Sequence, residues 1–270
     1  MYSLYILATP IGNLEDLSFR ALRILSNVSL IASEDTRTTR KLLSHYQIHT
    51  PLTSFHEHNK LTKTPRIIRA LGTGDVALVS EAGTPAISDP GLELVQAAIA
   101  HEIHIIPIPG PSAVVTSLAV SGLDANSFLF LGFLPRGKTK RVDLLKSVSS
   151  LQYTIVVFES PHRIQATLAA LDQALGNRNI TVVREATKIH EEVFHGKVAD
   201  ALKHFHRPRG EFTIVIERQN KTKTICKDKA EDILLDLLKQ GLPAREARKR
   251  LHSITRIPSS EIYKMWLRVK

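Results

Sequence analysis

Four apolar residues in an unbroken row, Val76-Ala77-Leu78-Val79, stop abruptly in Ser80-Glu81-Ala82-Gly83-Thr84-Pro85. A row like that must be buried on both faces, as a strand is in a parallel sheet covered by helices. Small residues at the carboxyl end of such a strand mark the place where open α/β sheets hold ligands. Gly83 lets the backbone approach a ligand closely, and Glu81 puts a carboxylate at the sheet edge. Asp89-Pro90-Gly91 reads as the start of a helix over 92–101, with Asp89 as N-cap and Pro90 at the first helical position.

The same arrangement recurs along the first 120 residues. A strand over 2–8 ends in Ala8-Thr9-Pro10-Ile11-Gly12-Asn13, a tight loop whose amides can meet a ligand. A strand over 28–32 ends in Ser33-Glu34-Asp35-Thr36-Arg37, where charges either face a substrate or form an ion pair. A strand over 103–107 runs into Ile108-Pro109-Gly110-Pro111-Ser112-Ala113, and the helix over 112–120 begins with Ser112, whose hydroxyl and neighbouring free amides can hold a polar group. With a strand over 52–55 and helices over 18–26, 37–46 and 64–72, the alternation predicts a parallel sheet with helices on both faces. None of these loops is a G-x-G-x-x-G fingerprint or a P-loop, which argues against dinucleotide or nucleoside triphosphate binding.

Residues 121–124 read as a linker into a second unit. Strands over 128–133, 154–158, 180–183, 191–195 and 212–217, with helices over 164–175 and 198–205, predict mixed α/β structure in which adjacent strands cannot all be parallel. Between the first two strands, residues 134–141 carry Arg136, Lys138, Lys140 and Arg141, a basic loop suited to phosphates. After a polar linker over 221–229, three short helices over 229–240, 244–252 and 259–268 follow, the last two joined by a turn over 255–258. They resemble a helix-turn-helix arrangement with Arg245, Arg248, Lys249 and Arg250 clustered on one segment. The expected division is 1–120, 124–220 and 221–270.

Charge separates the last part from the rest. Of a net +10, residues 221–270 contribute +7 (13 Lys and Arg against 6 Asp and Glu), while the preceding 220 hold 23 against 20. A basic module on a near-neutral body points to a polyanion, most simply nucleic acid; the alternative is a solvated basic extension. The single cysteine, Cys226, excludes an internal disulfide framework and fits a reducing cytoplasm. The start MYSLYILATP has no basic segment ahead of an apolar one, so no signal peptide is expected, and no apolar run is long enough to span a bilayer. His56-Glu57-His58 and His204-Phe205-His206 lack a second pair at zinc spacing, so no metal is expected.

Taken in order, ATPIGNL (8–14), EDTR (34–37), HEHN (56–59), the AGTP–ISDPG stretch (82–91), PIPGPSA (107–113), GFLP (132–135), ESPHR (159–163), RE-TK (184–188) and GEF (210–212) make the chain closely resemble the bacterial ribosomal RNA small-subunit methyltransferase I family. The match spans about residues 4–220; the last fifty match loosely. Where this chain has Glu81, the family usually carries an aspartate. The resemblance implies an α/β fold of the tetrapyrrole-methylase type (class III methyltransferases that use S-adenosylmethionine), two domains with the cofactor folded between them, a small C-terminal helical module and a homodimer. It implies 2′-O-methylation of a cytidine ribose in the decoding region of small-subunit rRNA, naked or in a 30S particle. By position, cofactor contacts carry over to Pro10, Ile11, Gly12, Glu81, Gly83, Thr84, Ser112 and Ala113.

A ribose hydroxyl is a poor acid, so methyl transfer needs a base or a cation near it. Candidates are Lys188, Glu185 and Arg163, and the Glu34-Asp35-Arg37 group. Expected RNA contacts are Arg37, Arg136, Lys138, Lys140, Arg141, Arg245, Arg248, Lys249 and Arg250. Two other readings exist: methylation of a tetrapyrrole or a translation-factor side chain, and a non-catalytic RNA-binding protein that retains the fold. The basic surfaces speak against the first and the intact loop motifs against the second.

Overall fold

The computed structural model describes residues 2–219, 227–255, 257 and 259–269. The chain divides into two compact units, Met1–Arg218 and Gln219–Lys270.

The first unit holds two sheets. In the first, β1 (Ser3–Leu7), β2 (Leu30–Ser33), β3 (Leu52–Ser54), β4 (Val76–Val79) and β5 (His104–Ile108) lie in the order β3-β2-β4-β1-β5, all parallel. Alternation explains the continuous apolar run of β4. Ala77 and Val79 join Tyr5, Leu7 and Ile31 under α1 (Phe19–Asn27) and α2 (Thr36–His45), whereas Val76 and Leu78 join Leu4, Ala32 and Phe55 under α3 (Lys60–Ala70) and α4 (Leu92–Ala100). From β1 the chain passes to β2, beyond β4; from β4 it passes to β5, beyond β1. The two central strands thus send the chain in opposite directions, and their carboxyl-end loops lie side by side. That is the place where such sheets bind ligands.

The second sheet has the order β6-β7-β10-β8-β9, built from β6 (Phe128–Phe133), β7 (Thr154–Glu159), β8 (Asn179–Arg184), β9 (Glu192–Lys197) and β10 (Phe212–Ile216). Only β6 and β7 are parallel; β7–β10, β10–β8 and β8–β9 are antiparallel, as the sequence required. One face packs under α6 (Lys138–Val148), α7 (Ile164–Leu175) and α8 (Val198–His204) through Ile155, Val157, Phe212, Ile214 and Ile216. The other face receives α5 (Ala113–Val120), whose Val114 and Leu118 pack on Val156 and Val215. The helix that follows the first sheet is therefore laid on the second, and the two sheets form one unit.

Local differences from expectation have physical causes. The helix expected over 92–101 does start at Leu92, but Gly91 and not Asp89 holds the cap position; the preceding loop takes positive φ at Ala86, Ser88 and Gly91, so neither Asp89 nor Pro90 is at the helix start. Helix α6 begins at Lys138, so Lys138–Arg141 form its first turn instead of a loop. Helix α3 begins four residues earlier than expected, at Lys60.

The second unit has its own core. Leu234, Leu237, Ala247, Leu251, Ile262 and Met265 bring α9 (Lys227–Lys239), α10 (Ala244–Thr255) and α11 (Ser259–Val269) together. Of the expected linker over 221–229, residues 221–226 (Cys226 among them) lie outside the described residues, and 227–229 already belong to α9. In the turn over 255–258, Arg256 and Pro258 also lie outside them.

Candidate active site

The strand ends of the two sheets enclose a cleft of about 690 Å³, within the range of small-molecule sites. Its floor is made by the loops after β1 and β4. Thr9 and Gly83 exchange backbone hydrogen bonds across these loops, Thr9 Oγ1 donates to Ser80 O at 3.3 Å, and Ser80 Oγ donates to Gly83 O at 3.0 Å. Gly83 has φ of +78°, a conformation L side chains rarely adopt. Gly12 serves a different need. A Cβ there would sit 2.5 Å from Lys188 Cγ and 2.9 Å from Ala186 O, so the loop after β1 touches the loop after β8 only because residue 12 has no side chain.

All eight residues expected at a cofactor line this cleft: Pro10, Ile11, Gly12, Glu81, Gly83, Thr84, Ser112 and Ala113. Ser112 caps α5 without a side-chain capping bond, which leaves its hydroxyl free of that duty. Phe133, Phe158, Val114 and Ile87 supply apolar wall, and Glu34, Thr38, Glu81 and Asp89 supply an acidic one. Sequence reasoning missed Asp89 as a site residue and treated it as a helix cap; its place in the ISDPG stretch that carries the family resemblance was the available signal.

The acidic wall is electrostatically loaded. Burial pushes the Asp89 carboxyl up to about 7; the charges of Glu34 and Glu81 push the same way, and the Ser80 hydroxyl opposes them. Glu34 is also raised, first by burial and then by Glu81 and Asp35, with the Glu81 amide and His56 opposing. Thr38 Oγ1 donates to Glu81 Oε1 at 3.3 Å. Asp35 is outside this group. It caps α2 and pairs with Arg37 at 2.9 Å, which lowers its carboxyl to about 2.

The candidate catalytic residues separate. Lys188 lines the cleft, with Nζ 2.9 Å from both Glu185 Oε1 and Glu211 Oε2. Burial opposes its charge, but the two carboxylates prevail and raise its pKa above the usual lysine value. Lys188 is therefore a fixed cation at neutral pH and not a base. Glu185 stands behind it: its Oε1 also accepts from Glu211 N at 2.9 Å, and its backbone is held at φ +52°. Arg163 is not brought to the cleft. Its guanidinium bonds Leu134 O at 2.5 Å and lies 3.3 Å from Glu159, behind the cleft-lining Ser160 and Pro161.

Among the expected RNA contacts, Arg37, Arg136, Lys138, Lys140, Arg245 and Lys249 are exposed. Arg141 is a correction. It is 5% exposed, and its NH1 donates to Thr167 Oγ1 at 2.9 Å and its NH2 to Arg136 O at 3.1 Å. Position four of α6 points a side chain into the sheet-facing side, where Val142 and Leu145 also lie. Arg248 is half-buried, its guanidinium 4.9 Å from the Trp266 ring centroid and 5.2 Å from that of Tyr263. Arg250 is exposed. Among the described residues no group of three His, Cys, Asp or Glu side chains is arranged to hold a metal ion, and no helix is long and apolar enough to cross a membrane.

Comparison with known proteins identifies the relatives of this chain. A model of the tetrapyrrole (corrin/porphyrin) methylases matches residues 3–202. A ribosomal RNA small subunit methyltransferase I of Halalkalibacterium halodurans is 43% identical over 278 residues, spanning 98% of this chain and 94% of its own. The protein of that name from Thermotoga maritima is 47% identical over 219 residues, spanning 80% of this chain and 98% of its own. Among solved structures, a diphthine synthase has a TM-score of 0.64 at 14% identity, covering 80% of this chain and 90% of that one. A uroporphyrin-III-C-methyltransferase from Thermus thermophilus has 0.57 at 19%, covering 90% and 100%. At those identities the structural likeness speaks for the fold alone.

Proposed function

Because the chain belongs to the ribosomal RNA small subunit methyltransferase I family, within the tetrapyrrole methylases, we propose that it binds S-adenosylmethionine in this cleft and methylates the 2′-hydroxyl of a cytidine ribose in small-subunit rRNA. The observation that carries the cofactor reading is that eight residues from three separate loops line one cleft. The cleft also suits the ligand chemically. The glycine positions leave room where a Cβ would intrude, the phenylalanine and aliphatic side chains match an adenine face, and the carboxylates match ribose hydroxyls and cationic groups.

Bound there, S-adenosylmethionine supplies an electrophilic methyl on a positively charged sulfur. The protein's part is orientation and charge. Holding the ribose oxygen in line with the methyl contributes several kcal/mol, of the ~7–11 kcal/mol that positioning can supply. Lys188, clamped by Glu185 and Glu211, offers a fixed positive charge to the ribose oxygen, favouring the negative charge it carries as its proton leaves. Exposed Arg37, Arg136, Lys138 and Lys140 on the first unit, and Arg245 and Lys249 on the second, are suited to rRNA phosphates. That surface favours RNA over a small tetrapyrrole, which needs no such track.

A homodimer acting in the cytoplasm on a 30S particle completes the reading. Leu92 and Ile99, two turns apart on one face of α4, stay 58% and 64% exposed and would be covered by a second copy. The decisive experiment is incubation with methyl-labelled S-adenosylmethionine and small ribosomal subunits. Label in a 2′-O-methyl cytidine, located by nuclease digestion and mass spectrometry, is the expected result. Label on a base, on protein or on a tetrapyrrole refutes it.

A further inference from the structure

Three carboxylates from two loops share one wall of the cleft: Glu34 after β2, and Glu81 and Asp89 after β4. Glu34 and Asp89 each hold their protons more tightly than a free carboxyl, because burial penalises the charged forms and neighbouring carboxylates add to it, Glu81 and Asp35 at Glu34, and Glu34 and Glu81 at Asp89. The charged groups around them do not offset this. Arg37 is engaged with Asp35, His56 acts on Glu34, and across the cleft Lys188 is bonded to Glu185 and Glu211, while Glu159 is engaged by Thr167 and Ser160. The wall thus gathers three carboxylates on one side of the cleft, and among the described residues none of the three is in an ion pair, so their negative charge is left without a cation to balance it.

We propose that Asp89 supplies that balance by exchanging a proton: it releases one when a cationic cofactor enters the cleft and takes one up when methyl transfer discharges the cation. This rests on the S-adenosylmethionine reading above. Transfer breaks the ribose O–H bond and the sulfur–methyl bond and makes one O–CH3 bond. The electron pair stays on sulfur, which becomes a neutral thioether, and one proton is left over. A carboxylate whose affinity for protons rises as the neighbouring positive charge disappears is suited to receive it, at Asp89 Oδ. The strained loop holds this carboxylate toward the cleft, with positive φ at Ala86 and Ser88 on one side and Gly91 on the other.

The test is calorimetry of S-adenosylmethionine binding to the full chain at pH 6, 7 and 8, in buffers of differing ionisation enthalpy. If the ionised Asp89 is the binding form, affinity rises about tenfold from pH 6 to pH 8, and about half a proton is released per site at pH 7. Asp89→Asn flattens both, and Asp89→Glu restores them. The ligand's own amino group contributes equally to every variant and cancels. On the wild type, the neutral product S-adenosylhomocysteine releases fewer protons than S-adenosylmethionine. This second measurement stands even if Asp89→Asn fails to fold. Equal proton release by wild type and Asp89→Asn, or by the two ligands, overturns the proposal while leaving the cofactor reading intact. Absence of S-adenosylmethionine binding to the wild type overturns both.

Discussion

Thr9 and Gly83 are the two residues through which the halves of the cleft floor are joined: Thr9 N donates to Gly83 O at 2.9 Å and Gly83 N to Thr9 O at 3.0 Å. They come from loops after adjacent strands, 74 positions apart in the chain. A side chain at position 83 would have 3.4 Å to Ile11 Cγ2, so space is not the obstacle; the φ of +78° is. Gly83→Ala is expected to cost about 1–2 kcal/mol of stability. Gly83→Val adds bulk facing the cleft and is expected to weaken S-adenosylmethionine binding at least tenfold. Thermal melts and calorimetry on both variants separate the two effects, and undiminished affinity in the valine variant would remove this loop from the cofactor site.

Asp89 also makes a stability prediction with a definite sign. Its folded pKa, raised from 3.8 to about 7, means that the folded state holds a proton the unfolded chain gives up above pH 4. The favourable contribution of the neutral carboxyl is present below that and is lost as pH rises through about 7. Asp89→Asn, which mimics the neutral form, is therefore expected to stabilise the protein at pH 8 by up to about 4 kcal/mol, less in proportion to the solvent that still reaches the group. At pH 5 the gain should shrink to about two-fifths of that, and it should vanish by about pH 3. A gain that is the same at both pH values would mean the carboxyl is not proton-linked to folding.

Arg141 and its neighbours should behave oppositely. Arg141→Ala leaves Thr167 Oγ1 and Arg136 O short of a donor in a buried place and is expected to cost about 1–3 kcal/mol, with the salt dependence of RNA binding unchanged. Lys138→Ala and Lys140→Ala, both exposed, should leave stability within about 0.5 kcal/mol. Each should lower the slope of log affinity against log salt by about 0.7–0.9. Denaturant melts paired with filter binding across a salt series decide the assignment residue by residue.

In the helical unit, Arg245 and Lys249 are exposed on α10, and Arg245→Ala with Lys249→Ala is expected to flatten the same slope by about 1.4–1.8. S-adenosylmethionine affinity should stay within about twofold, because every described residue that lines the cleft belongs to the first unit. An unchanged slope would return the unit to the status of a solvated basic extension.

Lys188→Gln removes a fixed cation and leaves Glu185 and Glu211 facing each other. Methyl transfer is expected to fall tenfold or more, with the acidic limb of the pH–rate profile still in place, since the raised pKa keeps Lys188 charged throughout that range. Disappearance of the acidic limb in this variant would instead make Lys188 the titrating group.

The sequence by itself determined the elements and the loops that would meet a ligand. Strands such as Phe128–Phe133 and helices such as Ile164–Leu175 have the expected bounds, because apolar periodicity and flanking Gly, Pro and Ser are local signals. The loops that line the cleft were legible for the same reason, each a short motif at a strand end, whereas the eight residues singled out within them came from the family resemblance. Helix α6 was also legible in principle, through Val142, Leu145 and Val148 at helical spacing, but its basic first turn reads as a loop. What tertiary structure alone decided are the relations between distant positions. α5 lies on the second sheet; Arg141 turns inward toward Thr167; Lys188 is held charged by Glu185 and by Glu211, which arrives 23 residues later; and the Asp89 carboxyl is raised by burial and by Glu34, 55 residues earlier, on the same wall. Packing direction and the energy of a buried charge depend on every group within a few ångströms, and only the folded chain fixes which groups those are.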